Sequence, residues 1–179
     1  MTTPSSPAYD RLSIALHWIV AIGIAGCYGL GLAQDEGPRA MRQGLQNLHI
    51  SVGIVVLALV ALRLAWRAGR WALSPRPVTT DTFAARLAHA GLYAVMVAVP
   101  LLGLFMLWTR GLDVSVLGVS LPSPWPADRA LAKVISGLHE AAAHGLLLLA
   151  GLHAAAALGH HYLLRDDVLG RMLPLARRS

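Results

Sequence analysis

Cysteine is almost absent from this chain: Cys27 is the only one in 179 residues. A disulfide within the chain is therefore excluded, and so is a C-x-x-C-H attachment motif. Charge is scarce as well. Charged residues make up 13% of the sequence against 56% hydrophobic ones, with a mean hydropathy of +0.57, and soluble domains rarely combine the two. Acidic residues number nine, and within the long apolar runs only Glu140 is acidic. No phosphate loop, nucleophile motif or internal repeat is evident, which removes nucleotide-cradling and covalent-nucleophile chemistries from consideration.

Four apolar runs fill the chain instead: Leu12 to Ala33, Gln43 to Leu62, Leu87 to Thr109, and Val134 to Leu164. Each is long enough to cross a bilayer. The expected fold is all-α, an integral membrane four-helix bundle with helices at about 11–33, 43–66, 84–109 and 131–164. Together they form one domain, 11–165, between a loose Pro/Ser/Thr-rich tail, 1–10, and a basic C-terminal tail, 166–179. Gly31-Leu32-Ala33 resembles a signal-peptide cleavage site, but the run before it is longer than a usual signal core and carries a histidine. It reads as the first span. Gly23, Gly26, Gly29 and Gly31 suit close packing in a membrane helix, against another helix or against a cofactor. Pro100 is expected to kink the third helix. Trp71 to Thr82 reads as an inner loop, and the Pro- and Gly-rich stretch after Arg110 as an ordered outer loop rather than a further span.

The net charge of +6 does not indicate nucleic-acid binding, because the basic residues lie between apolar runs and not on a soluble surface. They sort by side. Arg11, Arg63, Arg67, Arg70, Arg76, Arg86, Arg165, Arg171, Arg177 and Arg178 fall on one side, and Arg39, Arg42, Arg110, Arg129 and Lys133 on the other. This Lys/Arg bias predicts that both termini are cytoplasmic. Trp18, Trp66 and Trp71 fall near the predicted inner interface and Trp108 and Trp125 near the outer one, as aromatic belts do.

Histidine carries the chemistry. His139 and His153 are fourteen residues apart, nearly four turns, so they share one helix face with Cα atoms about 21 Å apart along the axis. Imidazoles at such positions in a span are costly and mark function. His17 in the inner half of the first run matches the depth of His153, and His49 in the outer part of the second matches that of His139. Pairs of imidazoles from facing helices are what axial ligation of haem iron needs. Two non-covalent b haems are expected, ligated by His17 with His153 and by His49 with His139. A zinc or copper site is disfavoured, since the pairs lie too far apart to join in one three- or four-ligand set.

Arg63 follows His49 by fourteen residues and either snorkels to the interface or pairs with a haem propionate. His160, seven residues after His153, either covers the inner haem edge or hydrogen-bonds a quinone. His144, His161 and His89 read as structural or interfacial, with packing or a propionate contact expected for His89.

The stretches RLSIALHW, LHISVG, LWTRG, LHE and GLHAAAALGHHYLLRD resemble the prokaryotic cytochrome b561 family from about Arg11 to the C-terminus. The resemblance implies a four-helix protein of the bacterial inner membrane with two b haems, whose ligands fall on His17, His49, His139 and His153. It also favours His160 near quinone. Some members pass electrons from superoxide to ubiquinone, which implies a superoxide:ubiquinone oxidoreductase. Arg39, Arg42, Arg110, Arg129 and Lys133 would then concentrate the anion at the periplasmic side, or else merely solvate loops beside Asp35, Glu36, Asp113 and Asp128. The alternative is a non-enzymatic conduit from a periplasmic redox partner to the quinone pool; a third is a haem-binding structural or sensor protein.

Overall fold

The computed structural model describes residues 10–73, 82–116 and 119–173. Expectations for residues 1–9, for Arg76 and the proline-containing part of the inner loop, and for Arg177 and Arg178 lie outside the described residues. Helix α1 spans Arg11–Glu36, α2 Arg39–Leu73, α3 Phe83–Thr109 and α4 Arg129–Gly159. A π-helical turn, His160–Leu164, continues α4, and a short 3-10 turn, Gly170–Met172, follows. All four helices are long and apolar enough to cross a membrane.

The helix starts follow from capping. Asp10 accepts hydrogen bonds from the backbone N–H of Ser13 (2.9 Å) and from its hydroxyl (2.7 Å); Thr82 caps α3 through Ala85 and Asp128 caps α4 through Leu131. Each side chain satisfies donors that a first helical turn leaves open. Gly37 and Pro38 alone separate α1 from α2, a tighter turn than the polar stretch Gln34 to Arg42 suggested. Helix α2 also runs beyond its expected end near 66. Its last turns are polar, yet they find partners: Trp66 donates to Asp10 (3.3 Å) and Arg70 pairs with it (3.6 Å), while Arg67 lies over the ring of Tyr93.

The connection between α3 and α4 contains a two-stranded antiparallel ribbon, β1 (Val114–Val116) with β2 (Val119–Leu121), in register Val114 to Leu121. Gly111 turns the chain into it with φ 69°, and a Cβ there would stand 3.1 Å from that of Ala127, so both backbone and space require glycine.

Helix α1 packs along α2 and α3 along α4, with a lesser α2–α3 contact; α1 and α2 scarcely touch α4. The bundle is thus two helical hairpins facing each other across a gap. Val20, Val56, Val60, Met96 and Leu146 form its core, and Leu146 stands seven residues from both His139 and His153. Most other apolar side chains face outward, among them Ile22, Leu148, Leu152 and Leu163, as a surface solvated by lipid requires. Trp18 and Trp66 cluster at the end that holds Asp10 and Met172, and Trp108 and Trp125 meet at the other.

Although the sequence carries no evident repeat, positions around the histidines of the two hairpins can be matched. A step of 72 carries α1 onto α3, taking His17 to His89 and Leu30-Gly31-Leu32 to Leu102-Gly103-Leu104. A step of 90 carries α2 onto α4, taking Arg39-Ala40 to Arg129-Ala130, Leu48-His49 to Leu138-His139, and Arg63 to His153. The steps differ because two residues join the first hairpin and the whole ribbon-bearing connection joins the second. A search for one fixed period misses such a match.

Candidate functional site

His49 on α2 faces His139 on α4, with ring centres 6.1 Å apart and planes at 86°. At the other end His17 on α1 faces His153 on α4 at 6.4 Å and 71°. An imidazole bound to a metal has its nitrogen about 2 Å from the ion, so its ring centre is about 3 Å away and two rings on one metal are about 6 Å apart. Both pairs have that separation.

The first pair is held by a matched device on each hairpin. His49 Nδ1–H donates to the carbonyl of Cys27 (2.9 Å), and His139 Nδ1–H donates to that of Val99 (2.9 Å). Four residues beyond each carbonyl is a glycine under the ring. A Cβ on Gly31 would stand 3.4 Å from His49 Cε1, and one on Gly103 would stand 3.1 Å from His139 Cε1. Donating Nδ1–H to a carbonyl fixes the tautomer that leaves Nε2 unprotonated, which is how metal-binding histidines are usually prepared. Both rings line a cavity of about 470 Å³ walled by Ile24, Gly53, Met96 and Leu146 and bordered by Arg42 and Arg110.

At the second pair, His17 Nδ1 is buried and has no hydrogen-bond partner among the described residues. Arg63 is close enough for its charge to act on both His17 and His153, and its guanidinium lies 5.5 Å from the centre of the Tyr93 ring. His89 presents its ring to His153 at 5.7 Å. Thus each pair joins a helix of the first hairpin to α4 across the gap where helices scarcely touch. A flat macrocycle held through one imidazole from each side would fit that arrangement. No group of three or more His, Cys, Asp or Glu side chains among the described residues is arranged to hold a bare metal ion.

His160 lies in the π turn. Its Nδ1–H donates to Asp166 (2.6 Å), and its carbonyl accepts from Arg165 and Asp166. The hydrogen bond from His160 is the main reason that the Asp166 carboxyl titrates below its ordinary value. Arg110, Arg129 and Lys133 gather around a second hollow of about 540 Å³, which shares Arg110, Ser136 and Glu140 with the walls of the histidine cavity. Arg42 lines the cavity and donates to the carbonyl of Gly37 (2.9 Å), whereas Arg39 lines neither space.

Sequence reasoning passed over His144. It shares a 2.9 Å hydrogen bond with the Tyr28 hydroxyl, approaches Glu140 at 3.9 Å and lines the cavity. It also missed the carbonyl and glycine supports, which the two matched hairpins would have revealed.

A family model described as "Prokaryotic cytochrome b561" matches residues 8–175. The chain belongs to the prokaryotic cytochrome b561 family. It is 30% identical over 171 residues to a Yersinia pestis protein named "Probable superoxide oxidase CybB", covering 94% of this chain and 97% of the relative. It is 30% identical to Escherichia coli "Cytochrome b561 homolog 2", covering 96% and 94%, and 33% identical to "Cytochrome b562" of Cereibacter sphaeroides, covering 93% and 96%. The protein is therefore a membrane electron-transfer cytochrome that carries haem b.

Proposed function

We propose that this cytochrome holds two b haems in the bacterial inner membrane, ligated by His49 with His139 and by His17 with His153, and that it is a superoxide:ubiquinone oxidoreductase. Both termini are assigned to the cytoplasm on the Lys/Arg bias. The observation that carries the reading is the pair of imidazole couples at metal-spanning separation, set at two depths of α4, with a basic hollow adjoining one of them. The likeness to a relative named as a superoxide oxidase favours superoxide as the reductant.

Two superoxide anions give up one electron each and leave as dioxygen; ubiquinone takes both electrons and two protons and leaves as ubiquinol. The haems supply the one-electron carriers between these sites. The chain contributes the imidazoles and the carbonyls that orient two of them, the valine, methionine and leucine core that excludes water between the pairs, and the cations of the outer hollow, which attract an anion. Arg63 is assigned to an inner propionate, and His160 with Asp166 to the quinone or the inner haem edge.

Mixing the oxidised holoprotein with superoxide in a stopped-flow spectrometer, with and without a short-chain ubiquinone, tests the function. Rapid reduction of the haem bands and reoxidation that depends on quinone is the expected result. Inertness to superoxide with fast reduction by a periplasmic protein donor would identify a conduit instead.

A further inference from the structure

The histidine positions of one hairpin have counterparts in the other, and the two depths use them differently. At the outer depth both copies act alike: His49 and His139 face each other, each held by a carbonyl on the first helix of its own hairpin. At the inner depth the copies have diverged. His17 corresponds to His89 and Arg63 to His153, and the facing pair takes one residue from each set, His17 from α1 and His153 from α4.

His89 and Arg63 are the remaining counterparts. His17 rather than His89 is assigned opposite His153, because α3 and α4 pack along each other whereas α1 and α4 scarcely touch. Its ring nevertheless meets that of His153 edge-on, with centres 5.7 Å apart and planes at 64°. For His139 it is α3, through Val99, that orients the ring. Two helical heptads further along α4, α3 presents His89 to His153 in the corresponding role.

We propose that His89 is the positioning residue of the inner haem site: its imidazole edge fixes the plane of the His153 ring, as the Val99 carbonyl fixes that of His139. The proposal rests on the assignment of His17 and His153 as inner ligands. An imidazole ligand free to rotate would change its overlap with the iron orbitals, and with it both the potential and the low-spin ferric signal of the haem it holds.

The test compares wild type with His89→Ala and His89→Phe in the full-length holoprotein, by pyridine-haemochrome quantitation, redox titration and electron paramagnetic resonance. Wild type should carry two haems per chain; fewer would overturn the ligand assignment and this inference with it. With two haems retained in His89→Ala, one low-spin signal should move. That haem's oxidised-to-reduced ratio at fixed poise should change at least threefold, about 30 mV for one electron, while the other haem stays as in wild type. His89→Phe, which keeps a flat ring edge, should return the signal toward wild type. Two haems with both signals unmoved in His89→Ala, or equal shifts in both, would overturn the positioning role and leave the ligand assignment standing.

Discussion

The ring of His139 lies over Gly103 so closely that a Cβ on that glycine would stand 3.1 Å from its Cε1, while the matching distance from Gly31 to His49 is 3.4 Å. The two supports are alike in design and unequal in tolerance. Gly103→Ala must displace the imidazole, because the hydrogen bond to Val99, one turn earlier on the same helix, holds the ring close to α3; overpacking of this kind costs about 1–3 kcal/mol. Gly31→Ala needs a smaller adjustment. We expect Gly103→Ala to lower haem content toward one per chain and Gly31→Ala to retain two, as read by pyridine-haemochrome quantitation with thermal melts of the loaded protein.

Removing ligands should separate the sites. His139→Ala takes away one half of the outer pair and leaves His17 and His153 in place, so haem content should fall from two to one and a single potential should remain. Full retention of both haems would sink the ligand assignment. Arg63→Leu should instead keep both haems and move only the inner potential, because Arg63 lies near His17 and His153. A titration in which neither potential moves would return Arg63 to the snorkelling role.

The spans and the histidine pairs were legible because each rests on local spacing: a run long enough to cross, and fourteen residues between His139 and His153 on one face. What depends on chain pairing was not. The carbonyls of Cys27 and Val99 become visible as supports only when α1 lies on α2 and α3 on α4. The match between the two histidine supports was hidden by connections of unequal length. Tyr28 and His144 are 116 positions apart, and no periodicity joins them. Helix α2 outran its expected end because Arg70 and Trp66 find a carboxylate in Asp10, which apolarity alone does not signal.

Asp10 ties α1 to α2, and its titration gives a pH prediction. Partial burial raises its carboxyl, but the two Ser13 hydrogen bonds, the Arg70 charge and Trp66 outweigh that, and the net value lies below the ordinary 3.8. A carboxyl whose folded pKa is depressed stabilises fully above its unfolded value and loses the contribution as pH falls through the folded one. Asp10→Ala should therefore cost about 1 kcal/mol near neutrality, the usual value of an N-cap. The gap between mutant and wild type should hold down to about pH 4 and close below it. Melts of the solubilised protein from pH 3 to 7 measure this; a gap that widens on acidification would show that the carboxylate is not what stabilises the cap.

Salt dependence is the sharpest check on superoxide as reductant. Arg110, Arg129 and Lys133 surround a hollow that adjoins the His49 and His139 cavity, with Glu140 as the carboxylate common to both. Attraction between a small anion and this cluster is screened over about 10 Å at 0.1 M salt, so the second-order rate of haem reduction by superoxide should fall as ionic strength rises. Steering by a charged cleft is worth about 10-fold or more in on-rate. Arg129→Glu with Lys133→Glu should therefore slow the reaction by about that factor at low salt and by much less at high salt. Reduction by dithionite should serve as the control for intact haems. Stopped-flow traces at several salt concentrations decide it: a rate indifferent to both salt and charge reversal would mean that these cations solvate the outer loop and do not guide the substrate.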